Sequence, residues 1–174
     1  SLYNNDAGYG GGVYNNGIFT MTGGNISLNK SSYGGGGVHN GEKGTFIMDD
    51  GCISGNSLIN SYKHGGGVHN EGEFIMNNGS ISGNSAYYGG GVYNYGEKKA
   101  IFTMTGGVIG GDGDNGNTSV YSGGGICNLA TFNMSGTAAI IGNKTKKYGG
   151  GVYNDGAMFR LSGNVKITGN TAAN

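Results

Sequence analysis

Apolar and polar positions alternate with a period of two in short stretches, and the stretches themselves recur along the chain. Phe19 and Met21, Phe46 and Met48, Phe74 and Met76, Phe102 and Met104, Phe132 and Met134, and Phe159 and Leu161 are each separated by one residue. That is the strand spacing, which puts both side chains on one face. The neighbours between them (Thr20, Thr103, Asn133, Arg160) are mixed, as on an outward face. Upstream of each pair stands Gly-Gly-Gly-Val/Ile-x-Asn, with its apolar member at Val13, Val38, Val68, Val92, Ile126 and Val152. Downstream comes an isoleucine (Ile26, Ile53, Ile81, Ile109, Ile140, Ile167), then an asparagine (Asn29, Asn56, Asn84, Asn117, Asn143, Asn170). No segment keeps apolar residues at three-and-four spacing, and glycines interrupt the chain about every dozen residues, which argues against helix. Each copy therefore reads as three short strands, around Val13, Phe19 to Met21, and Ile26. Corners such as Asn15-Asn16-Gly17 and Gly23-Gly24 join them, glycine supplying the backbone freedom a tight corner needs.

A single coil of this kind cannot bury its own apolar face, so copies must stack. Stacking about 4.8 Å apart adds parallel hydrogen-bond ladders and closes a continuous Val/Phe/Met/Ile core. The expected fold is all-β: a right-handed parallel β-helix, a solenoid of about six coils of roughly 24 residues with three short strands per coil. A left-handed hexapeptide solenoid is disfavoured, since no six-residue period is present. Residues 1–174 form one domain, with coils at 10–33, 34–64, 65–88, 89–122, 123–148 and 149–174. Like stacks on like, so Asn15, Asn40, Asn70, Asn94, Asn128 and Asn154 are expected to form an amide ladder.

The run Gly-Gly-Gly-Val-Tyr-Asn, then Phe-Thr-Met-Thr-Gly-Gly and Ile-Ser-x-Asn, resembles the repeats of large adhesin-like surface proteins of bacteria and archaea. The resemblance covers essentially the whole chain. It implies a right-handed β-helix of the pectate-lyase-like superfamily and an extracellular, cell-surface location. Leu2 and Asn5 align with Ile26 and Asn29, as if the chain opened on the last strand of an earlier coil. No polar capping repeat follows, so a segment of a larger surface protein is expected, with signal and anchor outside it.

Composition narrows the function classes. Of 174 residues 42 are glycine, none is proline or tryptophan, and 11% are charged. Ten basic residues balance ten acidic ones, so there is no basic stripe to bind nucleic acid by counterion release. No apolar run approaches the roughly 18 residues that would insert into a membrane. Collagen is excluded by the absence of proline and of a three-residue glycine period.

Departures from the repeat are where candidate chemistry lies. Glu42 and Lys43 lengthen one corner, and Glu97, Lys98 and Lys99 lengthen it two coils later; Glu71 and Glu73 fall between. These form either a cation or ligand patch or a solvated, self-neutralised edge. Insertions occur at Leu58 to His64 and at Gly110-Gly111-Asp112-Gly113-Asp114-Asn115. The second resembles one calcium-binding nonapeptide repeat, making Asp112 and Asp114 candidate calcium ligands, with no other cofactor expected.

The residue after the motif valine forms an expected outward column of Tyr14, His39, His69, Tyr93, Cys127 and Tyr153. A second column, Tyr9, Tyr33, His64, Tyr88, Tyr121 and Tyr148, precedes the glycines, its third and fifth members shifting in register. Such rows suit stacking on sugar faces or packing on a partner, or simply stack on one another. His39, His69 and His64 also form a candidate transition-metal group. Cys52 and Cys127 lie about 14 Å apart along the axis, too far for a disulfide.

The expected function is a non-enzymatic adhesin or stalk module presenting loops and aromatic columns to a host or cell-surface glycan or protein. The alternative is a structural module that self-associates end to end into a filament or sheath. A polysaccharide lyase or glycosidase finds less support. The sole arginine, Arg160, is isolated, and the carboxylates gather at a corner beside lysines.

Overall fold

A computed structural model describes every residue of the chain except Ser61, Glu97, Lys98 and Asn174. The strands form three sheets in which all pairings are parallel, each strand bonding to its counterpart one coil away. The chain is thus a parallel β-solenoid of about six coils. Successive ladder asparagines are 25, 30, 24, 34 and 26 residues apart. The 24-residue spacing is therefore the undecorated minimum, and the insertions lengthen individual coils without disturbing the stack.

The first sheet is built from the motif valines: Val13–Asn15, Val38–Asn40, Val68–Asn70, Val92–Asn94, Ile126–Asn128 and Val152–Asn154. The second unites the Phe-x-Met and isoleucine columns. In the first two full coils they lie on single strands, Ile18–Ser27 and Thr45–Ser54. The Gly23-Gly24 corner is accordingly a bend within a strand, where Gly24 takes φ 85° and the register with the next coil shifts. Later coils split into pairs such as Glu73–Met76 and Ser80–Ser82.

The third sheet was not anticipated by the three-strand reading. Its strands are Asp6–Tyr9, Lys30–Gly34, Ser57–Leu58, Ser85–Tyr88, Thr118–Ser122, Lys144–Thr145 and Thr171–Ala172. Each coil therefore has four strand positions distributed over three sheets. The fourth carries small polar residues inward, among them Ser31, Ser119 and Thr145, all buried, so no apolar alternation marks it.

The core is a stack of like on like. Phe46, Phe74, Phe102 and Phe132 are fully buried, and the phenylalanine rings from Phe19 to Phe159 lie parallel with centroids 4.6–5.0 Å apart. This equals the strand spacing, so ring packing and backbone pairing select the same register. Leu2 pairs with Ile26, as the sequence alignment expects.

Both asparagine columns are ladders. In the first, each Nδ2 donates to the Oδ1 of the next coil at 2.7–2.8 Å, from Asn15 through Asn154. In the second, running Asn5, Asn29, Asn56, Asn84, Asn117, Asn143, Asn170, each Oδ1 accepts both the side-chain and the backbone N–H of the preceding member.

The glycine triplet has one task per position. In the fourth coil, Gly89 takes φ 62°, in the left-handed region that L side chains disfavour. A Cβ on Gly90 would run into the carbonyls of Thr118 and Gly124, and one on Gly91 would lie 2.6 Å from Gly125 O, 3.0 Å from Asn117 Nδ2 and 3.1 Å from Ile109 Cγ2.

Candidate functional site

The first sheet holds the residues after the motif valine in strict register, Tyr14 on His39, His39 on His69, His69 on Tyr93, Tyr93 on Cys127 and Cys127 on Tyr153. The expectation that this column faces solvent is corrected for four members. His39, His69, Tyr93 and Cys127 are buried, while Tyr14 is 56% exposed and Tyr153 half-buried. The cause is the third sheet, whose rings lie over them. Tyr9 packs edge-on against His39 at 5.0 Å, and His64 stacks on Tyr93 at 4.4 Å.

The outer column is also corrected in detail. Gly34, His64 and Tyr88 bridge to one another, and Tyr88 pairs with Ser122, which bridges to Tyr148. His64 is therefore in register, and the shifted members are the second and fifth, Tyr33 and Tyr121. Each is separated from its triplet by one extra residue, Gly34 or Ser122. Tyr9, Tyr33 and Tyr148 are about half exposed, at 48%, 50% and 51%, and Tyr88 is half-buried.

Together the columns form one aromatic face. Tyr9 contacts Tyr33 at 5.1 Å, Tyr88 contacts Tyr121 at 5.4 Å, and Tyr121 leads through Tyr148 to Tyr153. Lys63 and Lys147 lie over the Tyr33 and Tyr121 rings at 5.3 and 4.9 Å. Tyr62, Tyr87 and Tyr95 also join the face. They stand outside the repeat columns, so periodicity gave no sign of them.

The acidic corner and the histidines meet, which neither motif implied alone. Glu71 Oε2 lies 3.6 Å from His39 Nε2, and Glu71 Oε1 lies 3.4 Å from His69 Nε2. His69 nevertheless makes no hydrogen bond through either ring nitrogen. Burial, followed by the neighbouring His39 and His64, holds the His69 pKa well below 6.5. Burial, then Lys63, also lowers that of His64. An unfolded chain takes up protons near pH 6.5 that these folded sites refuse, so stability must fall as pH drops through that value. Melting temperature is expected to decline from pH 7.5 to pH 5, and His69→Phe should flatten the slope. An unchanged slope in that variant would show that His69 is not the group responsible.

Glu42, Lys43, Glu71, Glu73 and Lys99 line one concavity; Glu97 lies outside the described residues. Asp112 and Asp114 are exposed, on or beside the single turn Gly113–Asn115, with Asp114 Oδ1 3.9 Å from Lys144 Nζ. Among the described residues, no group of three or more His, Cys, Asp or Glu side chains is placed to hold a metal ion. His64 stacks on Tyr93 at 4.4 Å and meets His69 edge-on at 6.0 Å. Both cysteines are free thiols. Burial pushes the Cys127 thiol up to about 11, against the opposing effect of its hydrogen bond with Ser122, so it is a poor nucleophile near neutrality.

Comparison with protein-family models, with curated proteins and with solved structures returned no match.

Proposed function

We propose that this chain is a non-enzymatic, extracellular adhesin-like module that binds cell-surface glycans through its aromatic face. The observation that carries this reading is the row of half-exposed rings along the stack, with Tyr9, Tyr14 and Tyr33 in contact toward one end and Tyr148, against Tyr121 and Tyr153, toward the other. A tyrosine ring offers an apolar face to the C–H surface of a sugar and a polar tip to its hydroxyls. Rings already fixed by coil-to-coil contacts lose little freedom on binding. Repetition along the axis lets weak contacts add through avidity.

The test is a glycan array probed with the chain and with a variant in which all four tyrosines become alanine. The variant is expected to lose at least about tenfold in binding to the glycans retained by the parent, equivalent to about 1.4 kcal/mol. Each ring is about half exposed, but Tyr9 and Tyr14 also pack on the buried His39, so a melting curve of the variant accompanies the array and binding is compared below its midpoint. Undiminished binding by the folded variant would reject the reading.

A further inference from the structure

The inner aromatic column is interrupted once. Along it, ring follows ring at 5.1, 4.8 and 5.1 Å from Tyr14 through His39 and His69 to Tyr93. The next rung is Cys127, and the one after it is Tyr153. Tyr93 and Tyr153 are thus two coils apart, about 9.6 Å along the axis. That is twice the spacing of neighbouring rings, which leaves room for one ring between them. A cleft of about 440 Å³ lies at this place, with Cys127 on its floor, Tyr88, Tyr93, Tyr121 and Tyr153 around it, and Asp155 among its polar groups. Its size falls in the range of small-molecule sites.

We propose that this cleft is a subsite for one neutral pyranose ring, which takes the place of the missing aromatic rung. The proposal rests on the glycan-binding reading and adds to its half-exposed rings one further subsite on the same face, with one class of sugar. Polar groups set the class. Asp155 Oδ2 accepts a hydrogen bond from the Tyr153 hydroxyl at 3.2 Å, leaving Oδ1 to accept from sugar hydroxyls. No lysine or arginine lines the cleft, Lys147 being held over the ring of its Tyr121 wall at 4.9 Å in a cation–π contact, and the lowered pKa of His64 keeps that ring neutral at pH 7. A uronate or sulfated sugar would set its anion beside Asp155 with no cation in the lining to offset it. A neutral ring presents C–H faces to the tyrosines and hydroxyls to the carboxylate.

The chain contains twelve tyrosines and no tryptophan, so tyrosine emission reports on the aromatic face directly. Methyl glucoside, methyl N-acetylglucosaminide and glucuronate would be titrated by emission and by saturation-transfer NMR. Three variants accompany the parent chain. Cys127→Tyr restores the rung, Cys127→Ser leaves the gap, and Asp155→Ala removes the acceptor. A neutral glycoside is expected to bind, with glucuronate at least about tenfold weaker. Cys127→Tyr and Asp155→Ala should each lose about tenfold or more, the scale of one charged hydrogen bond or one stacked ring face, and Cys127→Ser should retain binding.

Equal binding of glucuronate, or neutral-sugar binding untouched by Asp155→Ala, would overturn the proposal. Should Cys127→Tyr melt early, Asp155→Ala decides alone, because Asp155 is exposed. If array binding falls in the four-tyrosine variant but survives Cys127→Tyr and Asp155→Ala, the subsite is wrong while the aromatic-face reading stands. If no glycan binds the parent chain, both fall.

Discussion

Replacing Asn84 with alanine is expected to destabilise the solenoid by roughly 3–6 kcal/mol, a large part of the 5–15 kcal/mol typical of a domain. Asn84 is fully buried at the middle of the second ladder. Its Oδ1 accepts from the backbone N–H and the Nδ2 of Asn56, both at 2.9 Å, and its Nδ2 donates to Ile53 O and Asn117 Oδ1, also at 2.9 Å. Alanine leaves two donors of Asn56 without partners in the interior, each costing about 1–3 kcal/mol, and removes a donor from two acceptors. For a chain of this length the midpoint should fall by on the order of 10 °C or more. Asn84→Asp keeps the shape but buries a charge that cannot donate, so it should be at least as damaging at neutral pH. Asn25→Ala, at an exposed position, is the control and should leave the melt nearly unchanged. A small effect of Asn84→Ala would mean that the ladder follows from the stack rather than holding it together.

The ladder also shows which features can be read from sequence. Phe19, Phe46 and Phe74 announce their vertical file because identical side chains recur at one position in each coil, and stacking turns recurrence into contact. The first asparagine ladder was legible for the same reason. The third sheet was not, because Ser31, Ser119 and Thr145 are buried yet polar, and period-two reasoning looks for apolar alternation. Missing that sheet led directly to the wrong exposure for His39, His69 and Tyr93. Their covering rings, Tyr9 and His64, come from strand positions whose existence the pattern did not disclose. The Glu71 contact with both histidines was illegible for another reason. Glu71 lies two residues past His69 and looks like part of the corner, but its carboxylate reaches histidines of two coils, and that distance across the stack is absent from a linear pattern.

Alanine at Gly90 is expected to destabilise the fold by about 3 kcal/mol or more, at or beyond the upper end of typical overpacking. The position is the middle of a triplet. A Cβ there would press on the carbonyl oxygen of Thr118, at the far end of the same coil, and lie 2.6 Å from that of Gly124 in the next. Neither obstacle is a flexible side-chain tip, so relief requires coils to move apart. Gly90 donates to Gly123 O at 3.0 Å, and Gly91 to Gly124 O at 3.2 Å, so separation lengthens the bonds that stack the coils. The same crowding recurs at Gly66, where a Cβ would lie 2.5 Å from Gly90 O, which explains why the triplet repeats without substitution. Gly17→Ala offers the contrast. Its Cβ would meet nothing within 4 Å, and removing a glycine from the unfolded chain should stabilise by about 0.4–1 kcal/mol. Chemical denaturation of the two variants beside the parent should therefore move the midpoint in opposite directions. If Gly90→Ala kept the parent midpoint, the close approach of neighbouring coils at the triplet would not be what demands glycine there.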